Sequence, residues 1–175
     1  MVSLYLLGLL LRFGPQHGYQ IKKTIAEQLS DFTQIKLPTI YYHLTKMEAD
    51  GLLSASSEKP GSRPEKTVYT ITEKGRAAYA RMLQGLTQEE YRPTFPADAV
   101  FYFSDHFTPE EMTRYLQRRM EALEESLGVI ARHRAETLPY VPDEAKAMVE
   151  IIFSHHEHHY RAELAWAGEA LRKLQ

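Results

Sequence analysis

Apolar positions along the chain repeat with a helical period, switch to short strand-like runs, and then return to the helical period. Val2 to Phe13 is apolar at most positions and closes at Gly14-Pro15, so the helix it predicts must be buried on several sides. Gly18 to Leu29 predicts an amphipathic helix, with Ile21, Ile25 and Leu29 on one side and Gln20, Lys23 and Glu27 elsewhere. The loop SDFTQIK leads into a third helix, Pro38 to Asp50, where proline suits the first helical position and Gly51 marks the end. Ile40, Leu44 and Met47 form its narrow core-facing stripe. Leu52 to Glu58 and Lys66 to Thr72 then read as strands, the second rich in Thr, Val, Tyr and Ile. Between them KPGSRPE is a turn carrying two bases.

From Thr72 onward the pattern is helical. Thr72 to Tyr91 ends at the break RPTFP, which predicts a domain boundary. Ala97 to Phe107 is a short aromatic helix, and TPEE (108–111) is a capping box with proline at the first helical position. The helix it opens runs to about Arg134, with Met112, Leu116, Leu123, Leu127 and Ile130 along one side. After a break at Leu138 to Pro142, Asp143 to Lys173 forms the last helix. The expected fold is mainly α: an α+β winged helix-turn-helix over residues 1–91 and a helical domain over residues 92–175.

The outer face of the third helix carries the candidate chemistry. Thr39, Tyr42 and Lys46 lie opposite the apolar stripe and His43 lies on the flank, while Glu48 and Asp50 are held back to the last turn. Solvated faces usually mix the two signs of charge. The DNA major groove admits an α-helix, its floor is rich in acceptors, and its rims are phosphate. Donors without carboxylates fit that surface. In the turn between the strands, Lys59, Ser62, Arg63 and Lys66 are placed to reach the flanking backbone or the minor groove. Tyr19, Lys22 and Lys23 on the preceding helix, with Lys36 ahead of the third, are candidate phosphate contacts. Tyr41, on the side of the helix, is expected to pack.

Charge and composition sharpen this reading. The net charge of −2 hides an asymmetry: residues 1–75 hold nine Lys/Arg against seven Asp/Glu, and residues 76–175 hold twelve against sixteen. The excess of base coincides with the candidate face. There is no cysteine, which excludes disulfides and thiolate metal sites and fits a reducing compartment. The longest apolar run, Val2 to Leu11, is interrupted by Ser3 and Gly8 and is too short to span a bilayer. A cytoplasmic protein without a membrane partner or a cofactor is expected.

Three stretches, LLGLLLRFGPQHGYQIKK, PTIYYHLTKMEADGLL and RPEKTVYTITEKGR, resemble the PadR family of bacterial winged helix-turn-helix regulators over roughly the first half of the chain. The C-terminal HHYRAELAWAGEAL resembles the helical domain of the larger PadR-like subgroup that includes virulence activators. The resemblance implies a homodimer held by its C-terminal helices, repression of transcription from operator DNA, and release by a small aromatic or phenolic effector. Tyr42-His43 departs from the smaller residues or proline common in relatives, which bears on base preference. Physics also points to a dimer, because one helix reads too few base pairs for useful specificity. Two copies on a two-fold axis read half-sites about 34–36 Å apart, so the operator is expected to be palindromic. The last helix is expected to swap across that axis onto the partner's first helix.

SHHEHHY (154–160) introduces a second candidate site. His155 and His159 have the i, i+4 spacing that can bind zinc, but Tyr160 breaks the H-E-x-x-H pattern counted from His156. Both share a stripe with Met148, Ile152, Ala162 and Trp166, which favours an interface or, with Trp166, an effector pocket over a metal site. Arg119, in an otherwise apolar stripe, fits either a snorkelling stem or a ligand anchor. Two alternative functions stand beside DNA regulation: a helical metal-binding protein or metalloenzyme using His155 to His159, and a winged helix serving protein contact alone. No phosphate-cradling glycine loop or Ser-His-Asp arrangement supports catalysis, so no enzyme is expected.

Overall fold

The computed structural model describes residues 1–29, 33, 35–58 and 66–174. The chain forms two compact units, Met1–Arg92 and Pro93–Gln175.

The first unit contains α1 (Val2–Phe13), β1 (Gln16–His17), α2 (Gly18–Gln28), α3 (Leu37–Ala49), β2 (Leu53–Glu58), β3 (Lys66–Ile71) and α4 (Glu73–Leu86). Its core follows the apolar pattern. Leu6, Leu7 and Leu10 of α1, Ile21 of α2, and Ile40 and Leu44 of α3 are fully buried. Each such side chain contributes about 2 kcal/mol by leaving water. Because α1 buries Leu4, Leu6, Leu7, Leu9 and Leu10, it has apolar neighbours on several sides. The strands form an antiparallel sheet in the order β1-β3-β2, with Leu53 opposite Ile71 and Glu58 opposite Lys66. β1 is an addition to the sequence-based reading, since two residues cannot display an alternation.

The end of α3 is tied firmly to the start of α4. Gly51 adopts φ +71°, the left-handed conformation glycine tolerates best. Its N–H donates to the Glu48 carbonyl and that of Leu52 donates to the Met47 carbonyl, both at 2.8 Å. This Schellman pairing satisfies carbonyls that the helix end leaves open. The Thr72 hydroxyl lies 2.9 and 3.0 Å from the Gly51 and Leu52 carbonyls and accepts from the Gly75 N–H at 3.1 Å. Lys74 Nζ donates to the Asp50 carbonyl at 2.7 Å. The orientation of α3 is therefore set at its C-terminal end by backbone groups rather than by side-chain packing alone.

The second unit contains α5 (Ala97–Tyr102), α6 (Pro109–Thr137) and α7 (Asp143–Leu174), with short 3-10 turns at Ser104–His106 and Leu138–Tyr140. Thr108 and Glu111 form the expected capping box: the Glu111 N–H donates to Thr108 Oγ1 at 3.2 Å, and the Thr108 N–H donates to Glu111 Oε2 at 2.8 Å. On α6, Met112, Leu116, Leu123 and Ile130 are buried as the stripe predicts, and Leu127 is half-buried. The aromatic helix is shorter than its pattern, ending at Tyr102, and α6 runs on to Thr137. α7 contacts α6 through a face that includes buried Phe153 and Ala167. The stripe of Met148, Ile152, His155, His159 and Ala162 is instead exposed within the single chain. Among the described residues no helix is long and apolar enough to cross a membrane.

Candidate nucleic-acid interface

The polar face of α3 is presented outward. Tyr42 is 64% exposed, Lys46 is exposed and Thr39 is half-buried, while Ile40, Leu44 and Met47 hold the helix on the core. His43 departs from a simple groove-facing donor. It is half-buried, and its Nδ1 lies 3.1 Å from the Ser3 hydroxyl of α1. Its ring also meets the Tyr42 ring edge-on, at 5.3 Å and 88°. The expected packing role of Tyr41 takes a specific form: a Cβ on Gly18 would lie 2.7 Å from its ring, so the first residue of α2 must be small where the two helices meet. The interruption of the apolar run at Ser3 was the one sequence signal of the Ser3–His43 contact.

α2 supports the same surface. Its start is fixed by a reciprocal cap, in which the Gln20 N–H donates to His17 Nδ1 at 3.2 Å and the His17 N–H donates to Gln20 Oε1 at 3.0 Å. Tyr19 is 61% exposed, and Lys22 and Lys23 are exposed beside it. Lys23 pairs with Glu27 at 3.7 Å, but both side chains lie mostly in water, so the pair is weak and its ammonium is easily redirected. Lys36 is the exposed N-cap residue of α3, and Lys66 is exposed at the start of β3, opposite Glu58. Lys59, Ser62 and Arg63 lie outside the described residues.

The distribution of carboxylates separates the first three helices from the rest. The first turns of α1, α2 and α3 carry no acid, whereas those of α4, α5, α6 and α7 carry Glu73, Asp98, Glu110 with Glu111, and Asp143 with Glu144. Helix N-termini favour negative charge, and most of this chain's helices supply their own. On α2 and α3 that partial positive charge is left uncompensated, which suits an external phosphate.

The second unit gathers its aromatic and charged groups around Trp166. Arg119 hydrogen-bonds Glu163 across α6 and α7, and its guanidinium lies 5.6 Å from the centre of the Trp166 ring. The Glu163 hydrogen bond holds Arg119 above its ordinary pKa, against desolvation. Arg119 is thus an interhelical ion-pair residue, a role its place in the stripe did not specify. Phe101 meets Trp166 edge-on at 5.5 Å and 82°, and a cavity of about 180 Å³ beside them is lined by Phe95, Ala97, Asp98, Glu163 and Trp166. His155 and His159 are exposed, with ring centres 4.6 Å apart, and do not line that cavity. Among the described residues, no group of three or more His, Cys, Asp or Glu is placed to hold a metal ion.

Residues 6–81 match the profile of the transcriptional regulator PadR-like family. The negative transcriptional regulator PadR of Bacillus subtilis is 35% identical over 67 residues, which are 38% of this chain and 37% of that protein. The fold agrees over nearly the whole length. Bacillus subtilis PadR in complex with operator DNA superimposes with a TM-score of 0.76 at 18% identity, covering 99% of this chain and 98% of that one. The same protein in complex with p-coumaric acid gives 0.71 at 19%, covering 99% of each chain. The Vibrio cholerae virulence activator AphA gives 0.79 at 21%, again covering 99% and 98%. Residues 6–81 of this chain are thus similar to the PadR-like family of transcriptional regulators, and the winged helix with its helical C-terminal unit has the fold of those solved structures.

Proposed function

We propose that this protein is a cytoplasmic, homodimeric regulator that binds a palindromic operator through α3 and represses transcription until a small aromatic molecule releases it. One observation carries the reading: α3 presents Thr39, Tyr42 and Lys46 outward with no carboxylate before its last turn, and neither α2 nor α3 has an acid in its first turn. In this arrangement α3 lies in the major groove, while Tyr19, Lys22, Lys23 and Lys36 contact phosphate from the near side. His43 adds a base-edge contact, and the segment of Lys59, Ser62, Arg63 and Lys66 follows the flanking backbone. The operator complex of the related PadR supports this docking.

The second unit, Pro93–Gln175, is the dimerisation and effector domain. The exposed stripe of Met148, Ile152, His155, His159 and Ala162 on α7 mixes apolar side chains with two imidazoles, a surface that a second copy would cover. The concavity at Trp166 is the effector site, and the p-coumaric acid complex of PadR supports a phenolic ligand. Titrating the protein into labelled duplex at increasing salt tests the reading. Binding that weakens steeply with salt supports it, because neutralised phosphates release counterions. Salt-independent binding, or none at low ionic strength, overturns it.

A further inference from the structure

Ser3 stands in the first turn of α1, where no preceding helical turn offers its hydroxyl a carbonyl. It is one of the few polar groups on an otherwise apolar helix, and it faces the flank of α3. Its Oγ is 3.1 Å from Nδ1 of His43. Among the described residues Nε2 of His43 has no hydrogen-bond partner, and the Tyr42 ring supports the imidazole edge-on at 5.3 Å.

We propose that Ser3 is a positioning residue for base recognition: its hydroxyl pins Nδ1 of His43 so that Nε2–H is presented as a fixed donor to an acceptor on a base edge. The inference rests on the DNA-binding reading above. A serine hydroxyl can donate or accept, and the 3.1 Å contact alone allows either tautomer of the neutral ring. With no helical carbonyl behind it to donate to, the Ser3 hydroxyl gives its proton to the neutral ring. When the imidazole is neutral, Ser3 donates to a bare Nδ1 and the proton resides on Nε2. When the imidazole is charged, Nδ1–H donates to Ser3 and Nε2 still carries a proton. In both states the free nitrogen is a donor. The major-groove acceptors it can address are N7 and O6 of guanine, N7 of adenine and O4 of thymine; the amino groups of cytosine and adenine are donors and are rejected. His43 thereby becomes a reader of one edge type, although it belongs to neither the fully exposed face nor the core.

The experiment has two arms. In the first, wild type, Ser3→Ala and Ser3→Thr are each passed through selection from a pool of duplexes with randomised bases. Ser3→Ala is expected to lose about five-fold of its preference at one base pair per half-site, the scale of a single hydrogen bond. The other positions, the affinity for unselected duplex and the melting temperature should be unchanged, and Ser3→Thr should restore the preference. An unaltered Ser3→Ala pattern, or an equal loss on every duplex, overturns the proposal. In the second arm, nitrogen NMR of the His43 imidazole in the DNA-free protein should show the neutral ring protonated on Nε2 in wild type, with tautomer exchange in Ser3→Ala. A neutral ring protonated on Nδ1 in wild type overturns the proposal whether or not the protein binds DNA. Failure of wild type to enrich any duplex in the first arm counts against the DNA-binding reading itself, and the proposal falls with it.

Discussion

Gly75, in the first turn of α4, packs directly against the carbonyl of Leu52, so closely that a Cβ at position 75 would collide with that oxygen and lie 2.8 Å from Ile71 Cγ1. The obstacle is backbone, and the Leu52 carbonyl is already held by the Thr72 N–H and hydroxyl. It cannot swing away without loosening the end of α3. Gly75→Ala is therefore expected to destabilise the first unit by about 3 kcal/mol, the upper part of the range for overpacking. Denaturant unfolding measures this; a loss below about 0.5 kcal/mol would show that the junction is compliant.

Tyr69, on the central strand, is buried, and its hydroxyl shares a hydrogen bond with the Thr45 side chain of α3. Burial pushes its pKa above the ordinary 10.0, and the Thr45 bond opposes this only in part. The neutral phenol is thus favoured by folding. Its contribution is complete below pH 10.0 and is lost as pH rises through the raised folded value. Tyr69→Phe should cost about 1 kcal/mol at neutral pH, one hydrogen bond. Above pH 10.0 the wild-type stability should fall towards that of the variant. Parallel pH curves for the two proteins would contradict the assignment.

Much of this architecture was legible in the sequence, for reasons visible at particular residues. α1, α3 and α6 bury large side chains at the helical period, so Leu6, Ile40 and Leu116 announced their own burial. The α6 cap was equally clear, because Thr108, Pro109 and Glu111 satisfy local backbone groups. α7 was harder. Its Met148 and Ile152 continue into His155 and His159 along one stripe, yet α6 is met by the face of Phe153 and Ala167. A long helix with two usable faces does not reveal which one its own chain covers. Contacts such as Ser3 with His43 and Arg119 with Glu163 lie 40 and 44 residues apart, and no local period encodes them.

On the proposed interface, Lys46 is exposed in the last turn of α3. Lys46→Ala should weaken binding to all duplexes similarly and reduce the slope of log affinity against log salt by about one, the signature of a lost phosphate contact. Equilibrium binding at several salt concentrations measures this. Unchanged affinity and slope would mean that α3 meets DNA by another face, or not at all.

Trp166 is the chain's single tryptophan, so its emission reports directly on the concavity of the second unit. Addition of p-coumaric acid is expected to quench that emission and release bound duplex over the same concentration range. Quenching without release would separate ligand binding from regulation, and no change in either would remove the phenolic effector from the account.

The central claim is that a carboxylate-free helix face on each of two subunits reads DNA. Selection from a pool of randomised duplexes by the full-length protein, followed by sequencing, tests it most directly. The expected result is an enriched imperfect palindrome with half-sites about one helical turn, 34–36 Å, apart or a multiple of that. Recovery of sequences no different from the input pool would contradict it.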